Sequence, residues 1–266
     1  MFPVLFVIVL ILFVLSVCLN VLQRHRLLQM KGRNIGCPIP TVRLDEFDPA
    51  FAANELGPTP AAEVVFIGRG EFVPGGTTDV EAWVLCVLAK GARCAFEFGT
   101  CSGKTAYLWA RNTPPDAHIA TLTLAREQAA SSSYSAGDNR RALEQAEQES
   151  RFARFLYSGT SVECKIRQIF GDSKEFDETP YLGKCDLIFI DGSHAYSYVE
   201  SDTRKALRML GPGGIVVWHD YRWPSGSAKG VFDFLNQLYR ELPLKHLKGT
   251  NMVAYRAPIS PEDMSA

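Results

Sequence analysis

Short apolar runs alternate with amphipathic stretches through most of this chain of 266 residues. The apolar runs have the length of buried strands, and the stretches between them repeat their apolar residues at helical spacing. Strand and helix in alternation predict an α/β fold with a doubly wound, mostly parallel sheet. The predicted strands are 93–98, 118–124, 162–170, 186–190, 215–218, 244–247 and 251–255, and the predicted helices are 78–90, 103–112, 138–155, 196–210 and 230–241.

The first 22 residues carry no charged side chain and consist almost wholly of Val, Leu, Ile and Phe. As a helix, this segment would be about 33 Å long, which is enough to cross the core of a bilayer. A cleavable signal peptide would have a basic start, a shorter apolar run and small residues at its exit. We therefore predict an uncleaved transmembrane helix over 1–22, with a cleaved signal peptide as the alternative.

Basic residues follow the apolar segment at once, at Arg24, Arg26, Lys31 and Arg33. Because loops rich in Lys and Arg stay on the cytoplasmic side, the rest of the chain is expected in the cytoplasm. The seven cysteines form no C-x-x-C pair, which argues against a disulfide framework and against a structural zinc site. The prediction is a single-pass membrane protein with a cytoplasmic catalytic domain.

The remaining chain divides into a juxtamembrane linker at 23–62, one domain at 63–257 and a short tail at 258–266. Pro- and Gly-containing stretches in 23–62 predict little regular structure there, and a short strand is expected at 64–67. The formal net charge of −1 provides no field that would attract nucleic acid. We expect one globular domain whose partner is a small molecule.

The strand at 93–98 ends in an acid and a glycine turn, Glu97-Phe98-Gly99-Thr100-Cys101-Ser102-Gly103. In a doubly wound sheet, ligands bind outside the carboxyl ends of the strands. Dinucleotide sites use G-x-G-x-x-G to hold a pyrophosphate, whereas an acid before G-x-x-x-G suits a cationic cofactor without phosphate. S-adenosylmethionine has that charge. An ordinary tight connection between strand and helix is the alternative for the turn alone.

Several strand-end motifs occur together with this turn. They are Phe170-Gly171-Asp172-Ser173, Asp191-Gly192-Ser193-His194, and Gly211-Pro212-Gly213-Gly214 followed by His219-Asp220. In this order they resemble the class I S-adenosylmethionine-dependent methyltransferases, which have a Rossmann-like fold. The branch they resemble includes macrocin-type O-methyltransferases and cephalosporin hydroxylase-like proteins.

The resemblance implies a cofactor pocket and, in many members, a divalent ion beside the acceptor. The expected cofactor-binding residues are Glu97, Gly99, Thr100, Ser102, Gly103, Thr123, Asp172 and Ser173, with Asp172 near the adenine. Thr123 departs from the pattern, because an acid usually ends the second strand and holds the ribose hydroxyls. A threonine hydroxyl lacks the charge that strengthens such hydrogen bonds. Glu127 is a candidate substitute.

Asp191 and Asp220 each follow an apolar strand, and these two strands are expected to be neighbours. Two converging carboxylates favour a divalent cation such as Mg²⁺, which would hold the acceptor hydroxyl and lower its pKa. An aspartate that only caps the following helix is the alternative. We predict a metal site at Asp191 and Asp220.

His194 and His219 lie next to these aspartates, and an imidazole titrates near neutral pH. We expect His194 to be the general base, with Asp191 and His219 also catalytic. Two histidines and a carboxylate are also the ligands of non-haem iron oxygenases, which is an alternative function. The main hypothesis is O-methylation of a small-molecule, glycan or lipid-linked hydroxyl. A membrane-tethered binding or scaffold protein without turnover, suggested by Thr123, is the other alternative.

Overall fold

The structure is a computed structural model, and it describes residues 38–68, 76–125, 134–135, 137–222 and 226–259. The predicted transmembrane segment, the basic residues after it and Glu127 lie outside these ranges, as does the tail from 260 onward. None of the helices in the described ranges has both the length and the apolar character needed to cross a membrane.

Eight strands form one sheet in the order β1-β9-β10-β8-β7-β4-β5-β6, and β2 and β3 form a separate hairpin. The strands of the main sheet are β1 (Thr41–Val42), β4 (Cys94–Phe98), β5 (His118–Thr123), β6 (Ile166–Phe170), β7 (Cys185–Ile190), β8 (Leu210–Trp218), β9 (Lys245–Leu247) and β10 (Val253–Arg256); the hairpin consists of β2 (Ala53–Asn54) and β3 (Gly57–Pro58).

Six α-helices accompany the strands within the described ranges. They are α1 (Leu44–Phe47), α2 (Asp79–Ala89), α3 (Lys104–Asn112), α4 (Arg140–Glu149), α5 (Tyr196–Met209) and α6 (Lys229–Leu238). Helix α2 begins where the sequence indicates, because Thr78 and Glu81 form a capping box at its N-terminus. Short 3₁₀ helices occur at Pro49–Phe51, Pro60–Ala62, Glu163–Lys165, Thr179–Tyr181 and Gly226–Ala228.

The central strands β6, β5, β4, β7 and β8 are all parallel, and β10 pairs antiparallel with β8. This confirms the predicted α/β fold with a mostly parallel sheet. The chain runs from β4 outward to β5 and β6, and then returns to β7 on the other side of β4. The reversal between β4 and β7 is the switch point at which ligands bind in doubly wound sheets.

The sheet core consists of the apolar strands that the pattern predicted. Phe96, Leu187, Phe189 and Val217 are almost fully buried, because helices cover both faces of a parallel sheet. Trp109 of α3 packs edge-on against Phe189, with 6.4 Å between ring centroids. This packing fixes the positions of the carboxyl ends of β4, β7 and β8, where the functional residues lie.

Residues 39–62 differ from the expected unstructured linker. Strand β1 pairs in parallel with β9, and Phe51 is buried in the main hydrophobic cluster. The indole of Trp83 donates a hydrogen bond to the Ala62 carbonyl. The Pro-rich composition concealed these contacts, because short 3₁₀ turns that begin at proline bury single side chains without any periodic pattern.

Other departures concern the ends of elements. Residues 64–67 form no strand, and Val65, Phe66 and Ile67 are 40–48% exposed. Helix α4 ends at Glu149 instead of near 155, because Phe155 turns inward to pack beside α3. Strand β6 begins later than predicted because a 3₁₀ helix occupies Glu163–Lys165.

Candidate active site

The turn after β4 depends on a glycine at position 99. Gly99 has φ of +100°, and a Cβ there would lie 2.2 Å from the backbone oxygen of Asp191. Its amide donates a hydrogen bond to the Leu122 carbonyl. The glycine therefore lets the turn after β4 approach the loop after β7 closely, which brings two predicted site segments together.

Gly103 is required for a different close contact. It precedes α3 with φ of +77°, and a Cβ there would lie 2.7 Å from the Tyr157 ring and 2.9 Å from Cβ of Phe155. The segment after α4 covers this end of the turn. Between the two glycines, Cys101 has φ of 45°, which is uncommon for a residue with a side chain.

Glu97 lies in the interior, below the turn. Its side chain accepts a 2.6 Å hydrogen bond from Thr121 Oγ1, and it is 1% exposed. Burial raises the pKa of this carboxyl to about 8. Thr100 belongs to the same network, because its hydroxyl contacts Thr121 Oγ1 at 2.7 Å. Glu97 and Thr100 therefore support the turn from beneath.

A cleft opens at the switch point, above the ends of β4, β5 and β7. Its walls come from the turn after β4, the end of β5, helix α4, the start of α5 and the loops after β6 and β7. The lining residues are Phe98, Gly99, Cys101, Leu122, Thr123, Leu124, Tyr134, Ala146, Glu149, Ser150, Gly171, Ser173, Gly192, Ser193, Tyr198 and Asp202. We call this cleft the switch-point cavity.

Three of the predicted cofactor-binding residues, Gly99, Thr123 and Ser173, line the switch-point cavity. The other five, Glu97, Thr100, Ser102, Gly103 and Asp172, do not line it. Asp172 is buried and engaged elsewhere, because its Oδ2 accepts from the Tyr198 hydroxyl at 2.7 Å and its Oδ1 from the Lys174 amide at 2.9 Å.

Two carboxyl groups in the cavity were missed by the sequence analysis, Glu149 of α4 and Asp202 of α5. Burial raises the pKa of each to about 7. Glu149 accepts a 2.8 Å hydrogen bond from Gln145, one turn earlier in the helix. Both acids lie in polar, amphipathic helices, where nothing in the sequence separates them from solvated acids.

Asp191, His194, His219 and Asp220 meet at the ends of β7 and β8, as predicted. His219 Nδ1 is 2.9 Å from Asp191 Oδ1 and 3.3 Å from Asp220 Oδ2. His194 Nε2 is 2.9 Å from Asp220 Oδ2. These four side chains form what we call the Asp-His cluster. Asp220 has φ of 58°, so the backbone after β8 adopts an uncommon conformation here.

A third acid of this region, Glu81, comes from α2 and was not predicted. Its Oε2 is 3.2 Å from His219 Nε2, and it is 1% exposed. Glu81 also accepts hydrogen bonds from the Thr78 and Asn251 amides. One side chain therefore caps helix α2 and faces His219. Both ring nitrogens of His219 thus face carboxylates.

Burial and charge act against each other on the pKa values of the Asp-His cluster. Burial alone would lower the pKa of each histidine, but the neighbouring carboxylates raise both, and that of His219 well above its ordinary value. Burial favours neutral Asp220, but His194 and His219 outweigh it and lower its pKa far below the usual range. Burial raises the pKa of Asp191.

The donor set of the cluster fits a small divalent cation. One ligand atom each from Asp191, His219 and Asp220 lie within 4.8 Å of one another. Two ligands bound at right angles at about 2.1 Å are about 3.0 Å apart, which is close to the two separations measured at His219 Nδ1. Two carboxylates and an imidazole suit Mn²⁺ as well as Mg²⁺.

A family model described as a methyltransferase domain matches residues 96–221. The matched residues run from β4 to just past β8, and they include the Gly99 turn and the Asp-His cluster. Over these residues, just under half of the chain, the sequence is similar to methyltransferase domains. This agrees with the class I methyltransferases that the strand-end motifs resemble.

Solved structures with a TM-score of 0.50 have a fold similar to that of this chain. The SAH-bound methyltransferase PaMTH1 from Podospora anserina is 16% identical over 70% of this chain and 81% of that one, with a TM-score of 0.50. A protein from Corynebacterium glutamicum is 12% identical; the match covers 70% of this chain and 83% of that protein, with a TM-score of 0.50. The O-methyltransferase TomG from Streptomyces achromogenes, solved with SAM, is 20% identical. The match covers 68% of this chain and 82% of TomG, with a TM-score of 0.47. No curated protein matches the sequence.

Proposed function

We propose that this chain is a methyltransferase that transfers the methyl group of S-adenosylmethionine to a hydroxyl oxygen of a small molecule. One observation carries the proposal. Gly192 and Ser193 line the switch-point cavity and also a smaller cavity formed by Asp191, His194 and His219. A cofactor in the first cavity would therefore lie beside a cluster able to hold and deprotonate an acceptor. Holding the two in a near-attack arrangement accounts for most of the catalysis.

Asp191, Asp220 and His219 would hold a divalent cation. The ion would supply Lewis-acid chemistry, which would lower the pKa of an acceptor hydroxyl held beside these residues. His219 joins the two predicted aspartates because both of its nitrogens already face carboxylates. Its role is then to bind and orient, which leaves proton transfer to the other histidine.

His194 is the proposed general base. Its Nε2 faces Asp220, and its buried Nδ1 has no hydrogen-bond partner among the described residues. A ring whose Nε2 hydrogen points at a carboxylate presents the lone pair of Nδ1 for a proton. Asp220 thus fixes the orientation of the ring, as the carboxylate does in a catalytic triad.

A carboxyl group in the wall of the switch-point cavity supports the binding of a cationic cofactor there. Glu149 lies in its wall, and the charges of Asp191, His194 and Asp220 all affect its pKa. These interactions support a position of Glu149 near the Asp-His cluster, where the proposed methyl transfer would occur. An ionised Glu149 would stabilise a positive sulfonium or ammonium group there, which compensates for the uncharged Thr123.

The proposed setting is a single-pass membrane protein with its catalytic domain in the cytoplasm. The apolar segment 1–22 and the basic residues that follow it support this proposal. A domain tethered in this way would meet lipid-linked or glycan acceptors at the membrane surface. TomG, by comparison, is described as acting in tomaymycin synthesis.

The experiment is methyl transfer from labelled S-adenosylmethionine by the full chain in detergent, with lipid-linked glycans, phenols and sugars as acceptors. We expect labelled product that requires Mg²⁺ or Mn²⁺ and disappears with chelator. Asp191→Asn should abolish transfer but leave cofactor binding. Transfer that is unaffected by chelator and by Asp191→Asn would contradict the metal site, and labelled nitrogen or carbon products would contradict O-methylation.

Thr123 is the one observation that favours a second function, a tethered scaffold without turnover. Thr123→Asp distinguishes the two. Detectable cofactor binding by Thr123→Asp, where the native chain binds none, would indicate a degenerate site, since charged hydrogen bonds are roughly twice as strong. Micromolar binding by the native chain would remove the reason for this second function. The oxygenase alternative has less support, because the converging group consists of two carboxylates and one histidine.

A further inference from the structure

Asp202 is a buried carboxyl group with an unused acceptor atom. It is 1% exposed in the middle of α5, and it lines the switch-point cavity. The Ser173 side chain is near enough to lower the pKa of this carboxyl. Its Oδ1 has no hydrogen-bond partner among the described residues. A buried carboxylate oxygen without a donor costs free energy, so the arrangement calls for a ligand that supplies one.

The basic residues nearest to Asp202 are engaged elsewhere. Lys205, one turn further along α5, donates to the carbonyls of Lys174 and Phe176. Lys174 donates from Nζ to Ser197 Oγ at 2.7 Å. The donor that completes the site therefore has to come from the cavity side.

The position of Asp202 in the cavity indicates which part of the cofactor lies near it. The methyl group has to point at the Asp-His cluster, across the wall formed by Gly192 and Ser193. The ribose is expected at the end of the second strand, at Thr123. The base then lies further out, towards Gly171 and Ser173 after β6, and Asp202 reaches this end from α5.

Asp172, which the sequence motif places near the adenine, has both carboxylate oxygens occupied. Tyr198 and the Lys174 amide donate to them, and Asp172 does not line the cavity. Asp172 instead holds Tyr198, whose ring stands in the cavity wall. The two neighbouring acids thus have separate tasks, one structural and one open to a ligand.

We propose that Asp202 accepts a hydrogen bond from the exocyclic amine of adenine and is the residue that selects a 6-aminopurine cofactor. This inference rests on binding of S-adenosylmethionine in the switch-point cavity. Because Oδ1 is closed to solvent, contact with it requires a small movement of side chains in the cavity wall. When Asp202 is ionised, such an acceptor discriminates strongly, since a 6-oxo group in place of the amine would face a carboxylate oxygen without a hydrogen between them. Because the pKa of Asp202 is about 7, the comparison is made at about pH 9.

The test compares S-adenosylhomocysteine with S-inosylhomocysteine, its 6-oxo analogue, by calorimetry on the full chain. We expect the native protein to prefer the adenine compound at least tenfold. Asp202→Asn keeps the shape of the side chain, but its amide can rotate to donate to the 6-oxo group. The preference should therefore fall to within about threefold. Asp172→Asn is the matched control and should keep the native preference.

The outcomes separate the alternatives. If Asp202→Asn weakens both compounds equally, or if only Asp172→Asn removes the preference, then Asp202 has a structural role and the inference is wrong. Equal binding of both compounds by the native protein overturns the proposed role of Asp202 but leaves the assigned cofactor unaffected. Absence of binding of either compound overturns it together with the assigned cofactor. Thermal unfolding of each variant confirms that differences arise in a folded protein.

Discussion

At the scale of single residues, the site depends on one backbone approach. Gly99 brings the turn after β4 within contact of the Asp191 backbone, and this contact sets the distance between the cofactor cavity and the Asp-His cluster. The sequence indicated a glycine turn because an acid, two glycines and a preceding strand are local features. It could not indicate that the glycine faces another loop, because that partner is 92 residues away.

Gly99→Ala should therefore lower the free energy of unfolding by much more than backbone strain alone would. A Cβ at 2.2 Å from the Asp191 oxygen forces the two loops apart. Gly57 is the matched control, since its φ of +106° is similar but a Cβ there meets nothing within 4 Å. We expect Gly57→Ala to lower the free energy of unfolding by about 1–3 kcal/mol. Gly99→Ala should exceed that by at least about 2 kcal/mol in chemical denaturation. Equal losses of unfolding free energy in the two variants would contradict the close approach of Gly99 to the Asp191 backbone.

Glu149 should make cofactor binding depend on pH. Its pKa is raised to about 7, so the carboxyl is largely neutral at pH 6 and ionised at pH 8. A cation gains an attractive partner as the pH rises, and affinity for S-adenosylmethionine should increase by up to about tenfold over this range. Calorimetry at several pH values measures this change.

Glu149→Gln should remove most of this dependence, whereas exposed Glu147→Gln on the same helix should keep it. Asp191, His194 and Asp220 also act electrostatically on Glu149. The comparison between the two variants isolates the contribution of Glu149 from theirs. An unchanged pH profile in Glu149→Gln would show that this carboxyl does not face the cation.

At the scale of elements, strand ends were predictable and helix faces were less so. Asp191 and Asp220 follow apolar strands, and neighbouring parallel strands bring their ends to one edge, so the convergence of these two residues could be inferred. Glu81, Glu149 and Asp202 come from helices. An acid on an amphipathic helix is usually solvated. Only the packing of α2, α4 and α5 reveals that Glu81 and Asp202 are buried and that Glu149 lines the switch-point cavity.

The buried acid of α5 should cost stability as the pH rises. The folded-state pKa of Asp202 is about 7, raised by burial and by the charge of Asp172 despite Ser173, Lys205 and Lys174, which lower it. The unfolded chain loses its proton near pH 4, so the folded state holds an extra proton between about pH 4 and 7. Stability therefore falls across that interval and stays low above it.

Asp202→Asn removes this penalty. Its free energy of unfolding should match the native value near pH 4 and exceed it at pH 8, by about 1–4 kcal/mol, since a pKa difference of one corresponds to about 1.4 kcal/mol. Urea unfolding at the two pH values measures this. A variant that is less stable than the native protein at pH 8 would show that the ionised carboxylate is well solvated or paired.

At the scale of the whole molecule, composition and pattern identified the fold class correctly but set the start of the domain too late. The compact unit begins at Ile39, and β1 lies at the edge of the main sheet. Two-residue strands and prolyl 3₁₀ turns carry too few residues for a periodic signal. The parallel core, with strands of five to nine residues, was readable because its central strands contain apolar runs such as 187–190 and 215–218.

Membrane attachment is a prediction for the full chain. The full chain should sediment with membranes and resist extraction by high salt and carbonate, with a C-terminal tag protected from protease outside intact cells. A chain that begins at residue 38 should be found in the supernatant and bind cofactor equally well. Cofractionation of both forms with membranes would place the attachment in the domain itself, and a tag accessible from outside would reverse the orientation.

The central claim is that the switch-point cavity binds S-adenosylmethionine. Calorimetric titration of the full chain in detergent with this cofactor tests it most directly, because it needs no knowledge of the acceptor. The account predicts one site per chain with a dissociation constant in the micromolar range, roughly −8 kcal/mol. No binding up to millimolar cofactor, in a protein shown to be folded by thermal unfolding, would contradict it.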